Sequence, residues 1–208
     1  MGSLPVEGRD EVKRTNEIKT AIPLLEAIAI AGKDITADAL LTQRKFAEYL
    51  VEKRQAHYSF TVKGNQPGLL ADLEFYFRDR GQPHFVEQTP PDHGRLETRQ
   101  IWTTTELNDY LRFPHVGQAF LVERQTIEKK TGEASSEIAY GITSLPAGLA
   151  GPRHLAIYAR NHWAIENREH YVRDVTFRED AQKTRTGSQP NAHAGITAND
   201  TASAASML

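Results

Sequence analysis

The 208 residues include no cysteine. Disulfides and thiolate metal centres are therefore excluded, and a reducing compartment is expected. No apolar run approaches the roughly 20 residues that a membrane-spanning helix needs, and the N-terminus lacks the apolar core of a secretory signal. The expected setting is cytoplasmic, with no membrane partner. Neither charge dominates, since 25 Lys and Arg stand against 27 Asp and Glu. Any nucleic-acid surface must then be a local patch rather than a global field. The eight histidines show no HxxxH or HExxH spacing, which argues against zinc. Walker, GxGxxG and GxSxG signatures are also missing.

What is present suits one domain, or one domain with an inserted lobe. Residues 1–14 are polar, with Gly and Pro, and read as the tail of something upstream. Thr20 is a suitable N-cap for a helix in which Ile22, Leu25, Ile28 and Ala29 recur at helical spacing. Pro23 belongs to a first turn and Gly32 ends the helix. Asp34-Ile35-Thr36-Ala37 reads as a short strand, followed at once by Asp38. A helix over 40–54 comes next, with Leu40, Leu41, Ala47, Leu50 and Val51 on one side. Tyr58–Lys63 alternates as a strand, Gly64-Asn65-Gln66-Pro67 breaks it, and Leu69–Phe77 reads as a helix. This alternation predicts an α/β layer with parallel strands over 15–80.

From 81 to 150 the pattern becomes antiparallel. Gly81-Gln82-Pro83 and Pro90-Pro91-Asp92-His93-Gly94 read as turns. Leu96–Trp102, Ala119–Ile127 and Ser136–Thr143 read as strands, the last two joined by a turn at Lys129–Glu133. A helix is expected within 151–180. Residues 181–208 are rich in Ala, Ser, Thr, Gly and Asn, and a disordered tail is expected there.

Four places carry chemistry. Asp38 follows a buried-type strand, where it can N-cap the next helix or serve as a hard-metal ligand. Both roles coexist only if one oxygen stays free. Glu166 has no Lys or Arg four residues away to pair with, and it sits among Trp163, Ile165 and His162. Two carboxylates on separate elements suit Mg²⁺, yet two-metal phosphodiester chemistry normally calls for a third. His93-Gly94-Arg95 and Lys63-Gly64-Asn65-Gln66 can each contact phosphate or simply turn the chain.

The order of these stretches is more telling than any one of them. Asn16-Glu17-Ile18 with Pro23-Leu24-Leu25 comes first, then Ile35-Thr36-Ala37-Asp38-Ala39, then Thr61-Val62-Lys63-Gly64-Asn65-Gln66. His93-Gly94-Arg95-Leu96-Glu97-Thr98-Arg99, His162-Trp163-Ala164-Ile165-Glu166-Asn167 and Asp174-Val175-Thr176-Phe177-Arg178-Glu179-Asp180 follow. In this order, over about residues 14–183, the chain closely resembles the ISAs-type (H-repeat-associated) insertion-sequence transposases of the DDE superfamily.

The resemblance implies an α/β, partial RNase H-like fold with an antiparallel β insertion before the last catalytic helix. It implies three acids that hold two Mg²⁺ (or Mn²⁺) ions and cut and join DNA at insertion-sequence ends. By match of stretches, Asp38 is the second acid and Glu166 the third, both catalytic and both metal ligands. Lys63, Asn65, Arg95 and Arg160 become DNA-binding residues, while His162 and Trp163 pack and orient the helix. The implied partners are double-stranded DNA at the ends and a second copy or a full-length transposase.

Two departures shape the expectation. The family's first Asp lies upstream of Asn16-Glu17-Ile18, and neither Glu7 nor Asp10 is placed to replace it. Beyond the Arg-Glu-Asp match the family continues with an apolar helical end, where this chain has a Ser/Ala-rich stretch. The expectation is thus a remnant that binds metal weakly, is inactive by itself and is marginally stable. The alternative is a non-catalytic DNA-binding remnant that interferes with a full-length copy.

Overall fold

The computed structural model describes residues 20–92, 94–171 and 197–199, the side chains of 90–92, 163–171 and 197–199 excepted. The expected remnant at 1–14, the Asp174–Asp180 stretch and all of the tail but 197–199 lie outside the described residues.

Helical residues 20–26 (α1) lead to β1, Asp34–Ala37. All four β1 residues are buried, as a short apolar strand covered on both faces requires. A single 3₁₀ turn, Ala39–Leu41, precedes α2, Arg44–Glu48, which continues as a π-helical turn, Tyr49–Lys53. Strand β2, His57–Val62, and helix α3, Pro67–Tyr76, complete the α/β part. Then come β3 (Phe85–Asp92), β4 (Arg95–Thr104), β5 (Gln118–Glu128), β6 (Ala134–Thr143) and the 20-residue helix α4 (Pro152–Tyr171). The three-residue β7, Thr197–Asn199, pairs antiparallel with β1.

Strands β1 and β2 are parallel, as the alternation predicts, with Ala37 opposite Phe60. The antiparallel strands are not a separate lobe. β6 pairs with β2, so one sheet runs β3-β4-β5-β6-β2-β1-β7. β2 stops at Val62, opposite Tyr140, whereas β6 continues to Ala134. At about 3.3 Å per residue, β4, β5 and β6 therefore project as a ribbon roughly 20 Å beyond the C-terminal ends of β1 and β2.

Each face of the sheet has its own core. Ile35, Ala37, Tyr58, Phe60, Trp102, Leu121 and Ile142 pack with Leu25, Phe46, Leu50, Leu73 and Phe113 on one side. Ile101, Phe120 and Val122 pack with Leu155 and Ala156 of α4 on the other. Among the described residues α4 is the helix on the second face, and its buried positions 155, 156 and 162 recur at helical spacing.

Three differences from the sequence expectation have physical causes. The helix expected over 40–54 is interrupted because Thr42 is fully buried and its hydroxyl donates to the carbonyl of Thr61 at 2.7 Å. The first helix stops well before Gly32 because Arg54 caps it, donating to the carbonyls of Leu25 and Ile28, both at 2.7 Å. Pro90 and Pro91, read as a turn, lie within β3. An edge strand tolerates missing N–H donors, and the β3–β4 register shifts between Thr89 and Asp92.

Candidate active site

Asp38 stands where β1 leaves the sheet. Its backbone is still extended (φ −60°, ψ 159°), and one carboxylate oxygen, Oδ1, accepts from the N–H of Ala39 at the start of the 3₁₀ turn. The side chain is half-buried. Capping uses Oδ1 and leaves Oδ2 for another partner, so both readings of Asp38 are compatible.

The next connection along, between β2 and α3, lies against this turn. The side-chain amide of Asn65 donates to the carbonyl of Ala39. Gln66 donates from Nε2 to the carbonyl of Thr42 at 2.8 Å. Fixing the Asn65 amide this way leaves its Oδ1 buried, with no hydrogen-bond partner among the described residues. Lys63, between the end of β2 and this connection, is exposed. Sequence reading singled out Asp38, Lys63 and Asn65; the structure sets Asn65 against the turn after Asp38, while Lys63 lines a cavity with Arg124, Glu137 and Tyr140. Sequence reading quoted Gln66 with Asn65 but did not single out Thr42, whose only signal was its place between the two stretches.

Helix α4 crosses the sheet, touching β1 as well as β3, β4 and β5. Tyr158 stands within electrostatic reach of Asp34 at the start of β1, and burial, then that carboxylate, push the Tyr158 hydroxyl up. His162 is buried and shares with Thr36, Ser59, Thr61 and Tyr158 a cavity of about 20 Å³, room for about one water. Glu166 follows His162 by one further helical turn within α4, about 6 Å along the axis. The side chain of Glu166 lies outside the described ones.

The two other predicted cations are elsewhere. Arg160 donates from Nη1 to Glu87 of β3 at 2.8 Å, across the sheet from β1. Arg95 begins β4 at the tip of the ribbon and lies 3.5 Å from Glu128. The row through Ala37 passes Phe60, Ile142 and Ala119 to Thr104, nine residues from Arg95. That places Arg95 roughly 25–30 Å beyond Asp38 along the ribbon.

A second polar cluster, which sequence reading passed over, lies beneath α4. Asp34 is fully buried, and its carboxyl is pushed up to about 7 by burial, partly offset by the Ser59 hydroxyl and the Ile35 backbone. Ser59 Oγ lies 3.0 Å from Asp34 Oδ2 and 3.0 Å from Thr143 Oγ1, and Thr143 donates to the carbonyl of Tyr58 at 2.6 Å. One hydroxyl proton cannot serve both contacts of Ser59 at once. Ser59 therefore shares its proton between Asp34 and Thr143 as acceptors, while Thr143 donates to Tyr58.

A divalent cation is tested by donor chemistry. Asp38 Oδ2 and the orphaned Asn65 Oδ1 are hard oxygens on adjoining connections, the donor type that Mg²⁺ takes. The residues fit such an ion. Among the described residues no group of three His, Cys, Asp or Glu gathers at one point.

A family model for the DDE transposase domain matches residues 6–198. The chain belongs to that family. It is 34% identical over 198 residues to the protein YbfL of Escherichia coli K12, an alignment covering 88% of this chain and 50% of the relative. The "H repeat-associated putative transposase YhhI" of the same strain is 33% identical over 198 residues, with the same two coverages. A shorter match, to an uncharacterised protein encoded beside dhlA in Xanthobacter autotrophicus, is 32% identical over 136 residues and covers 63% of this chain and 45% of that one. This DDE transposase-family chain spans about half the length of the curated relatives that it matches along most of its own. No solved structure matches it. No helix among the described residues is long and apolar enough to cross a membrane.

Proposed function

We propose that the chain serves DNA transposition by contributing two carboxylate-bearing segments of a DDE site, Asp38 after β1 and Glu166 in α4. The fold around them is read as the RNase H-like layer that the resemblance implies. The observation that carries this reading is the seat of α4 against β1 and β2: Tyr158 lies within electrostatic reach of Asp34, and His162, one turn before Glu166, shares a cavity with Thr36 and Thr61. Family membership supports the same assignment.

Asp38 and Glu166 would hold Mg²⁺ or Mn²⁺. When bound, the ion activates a water or a 3′-hydroxyl and stabilises the leaving oxygen of the phosphodiester. The chain's own groups do the rest. Ala39 N–H holds one Asp38 oxygen and leaves the other for the ion. Lys63, exposed at the end of β2, offers a positive charge to a DNA phosphate beside the acids. Buried His162 seats α4 on the sheet one turn before Glu166. The substrate is duplex DNA at an insertion-sequence end.

Iron-directed cleavage tests the pairing. Fe²⁺ bound in place of Mg²⁺, with ascorbate and peroxide, should cut the backbone near residue 38 and near residue 166 together. Asp38→Asn and Glu166→Gln should each suppress both cuts. Cuts at one segment that ignore the other substitution would defeat the reading.

A further inference from the structure

We propose that Thr42, Asn65 and Gln66 are positioning residues, a side-chain latch that sets where Asp38 stands relative to the end of β2. The proposal rests on the reading of Asp38 as a metal-binding carboxylate.

The need for a latch follows from the local structure. Register between β1 and β2 is held by the ladder only as far as Ala37 and Phe60. Beyond that pair the strands part, and Asp38 enters a 3₁₀ turn of three residues, Ala39–Leu41. So short a turn has few hydrogen bonds of its own; one runs from the Thr42 N–H to the Ala39 carbonyl at 3.0 Å. Side chains of the β2–α3 connection add donors at both of its ends. Asn65 takes the carbonyl of Ala39 and Gln66 takes the carbonyl of Thr42. Thr42, fully buried, returns the contact by donating to the carbonyl of Thr61. Two bonds thus join the connections that leave neighbouring parallel strands, a third ties Thr42 to β2 itself, and together they bracket the residue after Asp38.

The Asn65 amide has a defined orientation as a result. A carbonyl acceptor at Ala39 demands the NH₂ end, so Oδ1 is left buried and unpaired beside the turn. Asn65 therefore acts on the site from within the protein, besides any contact its oxygen makes with an incoming group. Lys63 has no part in the latch.

Two measurements on the full chain decide the matter. The first is amide hydrogen exchange over residues 39–43 in the metal-free protein. Asn65→Ala and Thr42→Val should each speed exchange there about tenfold, whereas Thr42→Ser, which keeps the hydroxyl, should restore protection. The second is Mn²⁺ affinity, read from the free-ion paramagnetic resonance signal. Asp38→Asn should abolish the site's share of binding, and Asn65→Ala and Thr42→Val should weaken it about tenfold, as loss of an outer partner does. Thr42→Ser should bind as the parent does. Weakening by Asp38→Asn with none by Asn65→Ala or Thr42→Val overturns the latch and spares the metal reading. Mn²⁺ affinity indifferent to Asp38→Asn overturns both.

Discussion

Arg160 of α4 reaches Glu87 of β3 at 2.8 Å, and the same carboxylate lies 3.9 Å from Arg99 of β4. Arg99 in turn pairs with Glu97. The helix that bears Glu166 is therefore tied laterally to the antiparallel strands, not only packed on them. Arg99 is only 12% exposed, and burial lowers its guanidinium pKa against the raising effect of Glu97 and Glu87.

This tie predicts a measurable coupling. Glu87→Gln should destabilise the fold by about 1–2 kcal/mol in urea titrations, between the values for exposed and buried pairs. A double-mutant cycle with Arg160→Met should return a coupling of about 1 kcal/mol. Additive single effects would mean that Arg160 is free to serve another partner, such as the DNA phosphate expected of it from the sequence.

Asp34 predicts an unusual dependence on pH. Its folded-state pKa lies near 7, above the usual carboxylate range, because burial penalises the anion. Between pH 4 and 7 the folded chain keeps a proton that the unfolded chain releases. The contribution of Asp34 is thus fully present below pH 4 and is lost as pH rises to about 7, an effect on the order of 2–4 kcal/mol. Asp34→Asn stays neutral at every pH, and its amide oxygen can accept from Ser59 as the carboxyl does. The stability difference between parent and variant, followed by urea unfolding from pH 4 to 8, should shift in favour of Asp34→Asn as pH rises. A difference independent of pH would show that Asp34 is ionised throughout.

Gly141 predicts a steric effect. Phe120 lies across it between β5 and β6, and a Cβ at Gly141 would stand 2.2 Å from the ring's Cζ. The ring is buried in the core under α4 and cannot swing away without moving that helix. Gly141→Ala should cost about 1–3 kcal/mol, and Gly141→Ala with Phe120→Leu should recover part of it. Thermal unfolding of the two variants checks this, and a neutral single substitution would contradict the packing.

Much of the fold could be read from residue order. The parallel β1–β2 pair, α3 and the β5–β6 hairpin follow from apolar alternation and from Gly, Pro and Asn punctuation, which are local signals. β3 was missed because Pro-Pro normally signals a turn, and only its place at the sheet edge makes the prolines tolerable. The break at Thr42 was missed because a hydroxyl in a helical pattern does not reveal that it bonds a carbonyl 19 residues away. Arg160 shows the same limit. A cation on a helix reads alike whether it faces DNA or a carboxylate 73 residues earlier.

By itself the sequence determined the family and the candidate acids, because both rest on residue identity and linear order. The family model and the relatives uphold the family, and Asp38 and Glu166 rest on matched stretches. Tertiary structure alone decided what surrounds Asp38. That Asn65 and Gln66 grip the turn after it, that Arg160 serves Glu87, and that Asp34 is buried against Ser59 are all contacts between distant positions. Hydrogen bonding and desolvation act over a few ångströms of space, and only the packed chain sets those distances.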